Sequence, residues 1–185
     1  MNNENESMKI NYVAFLRGVN VGGNRIKMED LRNAFKEWGF ECVSTYLASG
    51  NIRFSTEKSD ENALRIEIHD GIEEKFGLDI SVIVRTFEYL KNLAAKEPFY
   101  EFKENENTRF YMSFSAKPIK SEIKVPYISE EGNLEIPFVT DREVFSVVRL
   151  GENYGTLDAM DFIEKEFGKD ITTRNWNTIE KILAE

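Results

Sequence analysis

The alternation of strand-like and helix-like segments in the first half of the chain constrains the fold more than any other feature. Residues 28–38 and 60–76 place apolar side chains three and four positions apart, which is the spacing of one helix face. The order of elements is strand, helix, strand, strand, helix, strand, which is that of the ferredoxin-like split βαβ unit. The strands are predicted from compact apolar runs at residues 12–16, 42–47, 52–54 and 80–84.

The second half repeats this order less regularly. A short helix opened by Pro118 is predicted at residues 118–124, an amphipathic helix at 157–167, and a terminal helix at 173–183 in place of a clear sixth strand. We therefore predict an α+β fold with two ferredoxin-like (βαββαβ-type) repeats that share a core, with helices packed on antiparallel sheets. The strands of the second repeat are expected at residues 109–114, 134–140 and 143–150.

These patterns divide the chain into three segments. Residues 1–9 begin with a polar, acidic stretch and are predicted to be a disordered tail. Residues 10–97 are predicted to form the first repeat with a connecting helix. Residues 98–185 are predicted to form the second, irregular repeat with a C-terminal helix.

Composition narrows the classes of function. A net charge of −9 argues against broad nucleic-acid binding, which needs surplus lysine and arginine, although local contact with a nucleic acid stays open.

The single cysteine, Cys42, excludes an internal disulfide framework, and its apolar neighbours predict a buried, inert thiol. No apolar run approaches the ~20 residues that span a bilayer. We expect a cytoplasmic monomer or weak dimer with no membrane segment, metal or cofactor.

The first polar segment that could carry chemistry is the loop at residues 17–24. Gly18, Gly22 and Gly23 allow close approach of a ligand to the backbone, and Arg17, with the following Arg25 and Lys27, supplies cations beside a helix start. The glycine spacing matches neither the P-loop nor the dinucleotide fingerprint. A binding loop and a purely structural connection both remain open.

The second polar segment is residues 172–178, predicted as a helix start with Thr172 or Thr173 as the N-cap. Trp176 is expected to be a core anchor. Arg174 and Asn175, together with Asn177 and Thr178, either contact a polar ligand or cap the helix and bind a neighbouring loop.

The third polar segment is the turn at residues 48–51, which contains Ser49 and Asn51. Glycine and asparagine are ordinary hairpin residues, so a structural turn is favoured. Whether this turn lies beside the loop at residues 17–24 cannot be decided from the sequence. His69, the only histidine, lies in a predicted helix, and nothing around it indicates catalysis.

Three motifs together are similar to a known family. They are YVAFLRGVNVGGN at residues 12–24, YLASGN at 46–51 and TTRNWNT at 172–178. They resemble the bacterial family named domain of unknown function 1697, in order and in spacing. The resemblance implies an α+β fold with two ferredoxin-like repeats, and it implies no activity, cofactor or catalytic residue.

The leading hypothesis is that the protein binds a small anionic or polar ligand at a site joining residues 17–24 to residues 172–178. The ligand would be nucleotide-like or a nucleic-acid element. The alternatives are an enzyme of unnamed reaction in the same pocket and a protein–protein interaction module that uses Phe99, Tyr100 and Phe102. Whether the protein is an enzyme stays open. The predicted ligand-binding residues are Arg17, Asn20, Gly22, Gly23, Asn24, Lys27, Ser49, Asn51, Arg174 and Asn175.

Overall fold

A computed structural model describes residues 8–20, 25–47, 49–103 and 105–184. The fold is mixed α+β, with two antiparallel sheets and five helices in this part of the chain, which confirms the predicted fold class. The chain divides into two compact units, Met1–Leu90 and Lys91–Glu185. None of the helices described is both long and apolar enough to cross a membrane. Most of the predicted N-terminal tail lies outside the described residues.

The first unit follows the order expected from the sequence. Its elements are β1 (Ile10–Leu16), α1 (Met28–Glu37), β2 (Glu41–Tyr46), β3 (Asn51–Thr56), α2 (Glu61–Phe76) and β4 (Val82–Thr86). The sheet has the strand order β2-β3-β1-β4, and every neighbouring pair is antiparallel. The helix α3 (Phe87–Ala94) follows and contains the boundary between the units.

Local sequence signals set the ends of α2. Asp60 is the N-cap, and its Oδ1 accepts hydrogen bonds from the backbone N–H groups of Asn62 (2.8 Å) and Ala63 (3.1 Å). The helix ends at Gly77, whose φ of +66° lies in the left-handed region that glycine adopts at little cost. The helix is therefore bounded by residues whose chemistry is visible in the sequence.

The core of the first unit lies between its helices and one face of its sheet. Helix α1 contributes Leu31 and Phe35, and α2 contributes buried residues one helical turn apart. Phe35 is the hub of an aromatic group, with ring centroids 5.3 Å from Trp38 and 5.5 Å from both Phe40 and Phe54. Tilted and edge-on ring pairs of this kind stabilise a core beyond simple burial of area.

The elements of the second unit are β5 (Thr108–Ser115), β6 (Tyr127–Ile128), β7 (Leu134–Val139), β8 (Glu143–Arg149), α4 (Thr156–Phe167), β9 (Ile171–Asn175) and α5 (Trp176–Leu183). The sheet has the strand order β6-β7-β8-β5-β9, again antiparallel throughout. The core of this unit includes Leu134, Val148 and Ile163, which belong to β7, β8 and α4.

The prediction of a helix at residues 118–124 is wrong. Ile119 and Ile123, four residues apart, suggest a helix face, but the segment has no regular structure, and both side chains pack against the core of the second unit. The Ile119 N–H donates to the carbonyl of Asp141 (2.7 Å), and the Ser121 hydroxyl donates to Glu166 (2.5 Å). These tertiary hydrogen bonds replace those that a helix would have formed.

The prediction that a helix starts at Thr172 or Thr173 is also wrong. Thr172 to Asn175 belong to β9, which pairs with β5, and the helix begins only at Trp176. Threonine favours both strands and N-cap positions, and here pairing with an adjacent strand prevails. The strand that closes the βαββαβ order is therefore present as β9.

Candidate functional site

Two of the predicted polar segments meet at one edge of the first sheet. The register pairs Phe15 with Asn51, so the end of β1 lies beside the start of β3. The Leu16 N–H donates to the carbonyl of Gly50 (2.8 Å), and the Arg17 N–H donates to the carbonyl of Ser81 (2.9 Å). The β1–α1 loop and the β2–β3 hairpin are thus adjacent, which answers the question that the sequence left open.

Gly50 is required where these two segments touch. Its φ is +70°, and a Cβ placed there would lie 2.8 Å from the Cβ of Leu16 and 3.2 Å from Cγ2 of Val19. A contact of 2.8 Å between carbon atoms is strongly repulsive, so only glycine permits this approach. The hairpin turn is consequently held against the loop by a hydrogen bond and by close packing.

The side chains displayed at this edge are mostly cationic or polar. Arg17 is half-buried, whereas the other members are exposed. We call this set the polar edge; it consists of Arg17, Asn20, Arg25, Lys27 and Ser49. Gly22, Gly23 and Asn24, which were also predicted to bind ligand, lie outside the described residues.

Asn20 shapes the loop as well as lining it. Its φ is +62°, a conformation that asparagine tolerates better than most residues. Its Oδ1 accepts a hydrogen bond from the Ile26 N–H (3.2 Å), which ties the two described ends of the loop together. Lys27 follows as the N-cap residue of α1, and its side chain makes no capping hydrogen bond.

Asn51 serves the hairpin itself. The residue is fully buried, and its Nδ2 donates to the carbonyl of Tyr46 (3.0 Å) and to Oγ of Ser49 (2.9 Å). A buried amide bonded in this way fixes the turn. Ser49 is exposed, so it is the hairpin residue whose side chain a ligand could reach.

The electrostatics of the polar edge favour side-chain contacts over contacts with the helix terminus. Arg17, Arg25 and Lys27 supply positive charge around the loop. Glu29 and Asp30 occupy the first turn of α1, where carboxylates already compensate the helix dipole. An anion at this edge would therefore be bound by guanidinium, ammonium and amide groups and not by the start of α1.

Arg174 and Asn175 belong to the second unit, and each has a structural partner there. Arg174 is 9% exposed, and its Nη1 donates to Oγ1 of Thr172 and to the carbonyl of Thr173, both at 2.9 Å. Burial lowers the pKa of its guanidinium to about 10, so the group stays charged at neutral pH. Asn175 is the N-cap of α5, and its Oδ1 accepts from the Asn177 N–H (3.0 Å).

The three rings of the interaction-module alternative differ in exposure. Tyr100 is 82% exposed, Phe102 is half-buried and Phe99 is 7% exposed. Phe99 packs edge-on against Trp176, with ring centroids 5.3 Å apart. The acidic and aromatic composition of residues 99–107 is the only sequence signal for this region, and it does not reveal that Trp176 lies beside it.

Cys42 departs from its expected environment, whereas His69 lies in the helix predicted for it. The Cys42 thiol is exposed, at a bulge between β2 and β3, so the expectation of a buried thiol is wrong. His69 contacts carboxylates through both ring nitrogens, at 3.0 Å from Asp70 and 3.0 Å from Asp79. Within the described ranges, no group of three or more histidine, cysteine, aspartate or glutamate residues could hold a metal ion.

Comparison with known proteins identifies the family of the chain. The family model described as Protein of unknown function (DUF1697) matches residues 9–145, which confirms the resemblance inferred from the motifs. The motif at residues 172–178 lies beyond the matched range. Among curated proteins, none matches.

A solved structure supports the fold independently. The conserved bacterial protein SP0830 from Streptococcus pneumoniae superimposes with a TM-score of 0.67 at 18% identity. The match covers 96% of this chain and 98% of the other. At this identity, the similarity establishes the fold alone.

Proposed function

The chain belongs to the DUF1697 family, and we propose that it binds a small anionic or polar ligand, such as a nucleotide, at the polar edge. The observation that carries this proposal is the hydrogen bond from the Leu16 N–H, at the end of β1 where the first polar loop begins, to the carbonyl of Gly50 in the β2–β3 turn. A junction of two loops that displays cations is a suitable platform for phosphate oxygens.

The net charge of the whole chain narrows the size of the ligand that we propose. A protein with net charge −9 repels polyanions in general, so a long nucleic acid is disfavoured. A local group of Arg17, Arg25 and Lys27 can still bind one phosphate-bearing molecule, because charges within a Debye length of about 10 Å dominate its interactions. We therefore favour a small ligand over an extended strand.

The proposal rests on residues of the first unit. The original hypothesis included Arg174 and Asn175, but their side chains already bond to β9 and to the start of α5. We assign these two residues a structural role and place the ligand contacts on the polar edge.

A thermal-shift screen with inorganic phosphate, pyrophosphate and nucleoside mono-, di- and triphosphates tests this function. A ligand present at about 100 times its Kd should stabilise the native state by ~2.7 kcal/mol. In Arg25→Ala and Lys27→Ala, we expect Kd to rise about 10-fold, because a hydrogen bond to a charged group contributes roughly 1.5 kcal/mol.

Lys36→Ala is the matched control. Lys36 is an exposed lysine in the last turn of α1, at the opposite end of the helix from Lys27. Its replacement by alanine changes the net charge as much as Lys27→Ala does. The Lys36→Ala variant should bind the ligand with the affinity of the natural chain. If none of these ligands shifts the melting temperature, or if Lys27→Ala and Lys36→Ala weaken binding equally, the proposal fails.

We also propose a cytoplasmic location. An exposed thiol at Cys42 suits a reducing compartment, where it does not form intermolecular disulfides. Cell fractionation with an antibody against the protein would test this, and recovery in a secreted or membrane fraction would contradict it.

A further inference from the structure

A cleft in the second unit is lined by side chains whose chemistry differs from that of the polar edge. It has a volume of 690 Å³ and is formed between residues 94–102 and α5. Pockets for small molecules commonly enclose about 300–1,000 Å³, so this cleft has a suitable size. The residues that line it are unusually rich in aromatic rings.

The floor of the cleft is a fixed aromatic stack. Phe99 is stacked on Phe110 with ring centroids 4.7 Å apart and an interplanar angle of 10°, and Phe99 also meets Trp176 edge-on. All three rings are at most 8% exposed. Because these rings are packed against one another, the floor keeps its shape without a ligand.

One wall of the cleft is a short loop that presents Tyr100. Two consecutive turns hold this loop: the Tyr100 N–H donates to the carbonyl of Glu97 and the Phe102 N–H donates to the carbonyl of Phe99, both at 2.9 Å. The loop leaves the Tyr100 ring 82% exposed beside the half-buried Phe102. An exposed aromatic ring on an ordered turn is available to cover a bound molecule.

The charged residues that line the cleft have a single sign. Glu97 lies on the loop and Glu180 on α5, and no lysine or arginine is among the described residues that line the cleft. Oε1 of Glu180 accepts a hydrogen bond from Nε1 of Trp176 (3.0 Å), which holds the carboxylate against the aromatic floor. The two carboxylates therefore stand on opposite walls of an aromatic cleft.

A neighbouring cleft has a different charge pattern. It has a volume of 540 Å³, and acidic residues together with Lys103 and Arg149 line it. Both signs of charge are therefore present there, whereas the charged residues that line the aromatic cleft beside α5 are carboxylates only.

We propose that this cleft binds a small organic cation with an apolar body, of the arylammonium or alkylammonium class. The face of an aromatic ring attracts cations, and the exposed Tyr100 ring on the wall of the cleft is available for such a contact. The carboxylates of Glu97 and Glu180 complement the same positive charge, and the apolar body of the ligand packs against Phe102 and Phe110. This site is independent of the polar edge.

Three probes that differ mainly in charge test the proposal: 2-phenylethylammonium, 2-phenylethanol and phenylacetate. Trp176 lies in the cleft and Trp38 lies in the first unit, so the Trp38→Phe variant of the full chain makes tryptophan fluorescence specific for the cleft. Equilibrium dialysis with the natural chain provides a second readout that does not depend on this variant.

We expect the ammonium probe to bind at least about 5-fold more tightly than the alcohol, and the carboxylate probe to bind most weakly. Glu97→Gln and Glu180→Gln should each weaken the ammonium probe about 3- to 5-fold and leave the alcohol unchanged, because glutamine preserves shape while it removes charge. Tyr100→Ala should weaken both. Glu101→Gln is the matched control, since Glu101 is an exposed residue of the same loop that does not line this cleft.

Equal affinity for the three probes would show a merely apolar cleft and overturn the proposal. So would ammonium binding that is unaffected by both glutamine variants, or weakened equally by Glu101→Gln. A short peptide containing arginine and phenylalanine that binds 100-fold more tightly than the ammonium probe would reassign the cleft to a peptide partner. Failure of phosphate ligands at the polar edge would leave this result untouched.

Discussion

At the scale of single residues, Gly50 makes the junction of the polar edge possible. Replacement by alanine introduces a Cβ at 2.8 Å from Leu16 and imposes a positive φ on a residue with a side chain. We expect Gly50→Ala to lower the free energy of unfolding by about 2–4 kcal/mol, the sum of a conformational penalty near 1 kcal/mol and an overpacking penalty of 1–3 kcal/mol. Chemical denaturation measures the change.

Gly77→Ala separates these two contributions. Gly77 lies in the same unit and has a similar φ of +66°, but a Cβ there would meet nothing within 4 Å. This variant should lose only about 1 kcal/mol. Equal losses in the two variants would mean that contact between the hairpin and the loop contributes nothing, against the geometry described above.

His69 gives a second prediction at this scale. Hydrogen bonds to Asp70 and Asp79 raise the pKa of His69 above its usual value of 6.5. The protonated form is therefore favoured by the native state, and its stabilising contribution is fully present below pH 6.5 and lost as the pH rises through the native pKa. The difference in stability between the natural chain and His69→Gln should shrink from pH 5 to pH 9.

The same histidine can be titrated directly. It is the only histidine of the chain, so its ring resonances in an NMR titration need no further assignment. The midpoint should lie above 6.5, and Asp70→Asn should bring it down. A midpoint at or below 6.5 in the natural chain would refute the proposed pairing with the two carboxylates.

At the scale of elements, the side chain of Asn175 fixes the boundary between β9 and α5. Asn175 caps α5 through the Asn177 N–H, so Asn175→Ala should destabilise the protein by about 1 kcal/mol. Asn177→Ala replaces an exposed asparagine inside the same helix and should change stability by no more than about 0.5 kcal/mol. If the second variant is the more destabilising, the helix begins elsewhere.

Sequence patterns predicted some elements well because the physical causes are local. The helix α2 has its cap at Asp60, its apolar face and its terminal Gly77 within one continuous segment. In contrast, β9 exists because Thr172 and its neighbours pair with β5, more than 50 residues earlier in the chain (Ser113 pairs with Thr173). Distant pairing of this kind leaves little trace in local periodicity.

The candidate site was only partly visible in the sequence for the same reason. Glycine and cationic residues mark the loop after Leu16, and the antiparallel register of β1 and β3 then brings Ser49 beside it. The burial of Arg174 could not be foreseen, because an arginine in a polar motif ordinarily suggests an exposed cation. Its role became clear only from the hydrogen bonds within β9.

At the scale of the whole molecule, two units carry related topologies with different chemistry. The first sheet has four strands, and the second has the corresponding four plus the two-residue β6 at its edge. Cationic side chains mark one edge of the first unit, whereas carboxylates and rings mark a cleft of the second. Function in a fold of this kind depends on such local sites and not on the topology that carries them.

Mapping a bound anion on the backbone of the full chain tests most directly whether the polar edge is a binding site. Pyrophosphate and ADP would be titrated into labelled protein while the amide resonances are followed by NMR. We predict saturable shifts at Arg17, Asn20, Lys27 and Ser49, with much smaller shifts in Lys27→Ala than in Lys36→Ala. No saturable shifts with either anion, or shifts confined to the second unit, would contradict the claim that the polar edge is a binding site.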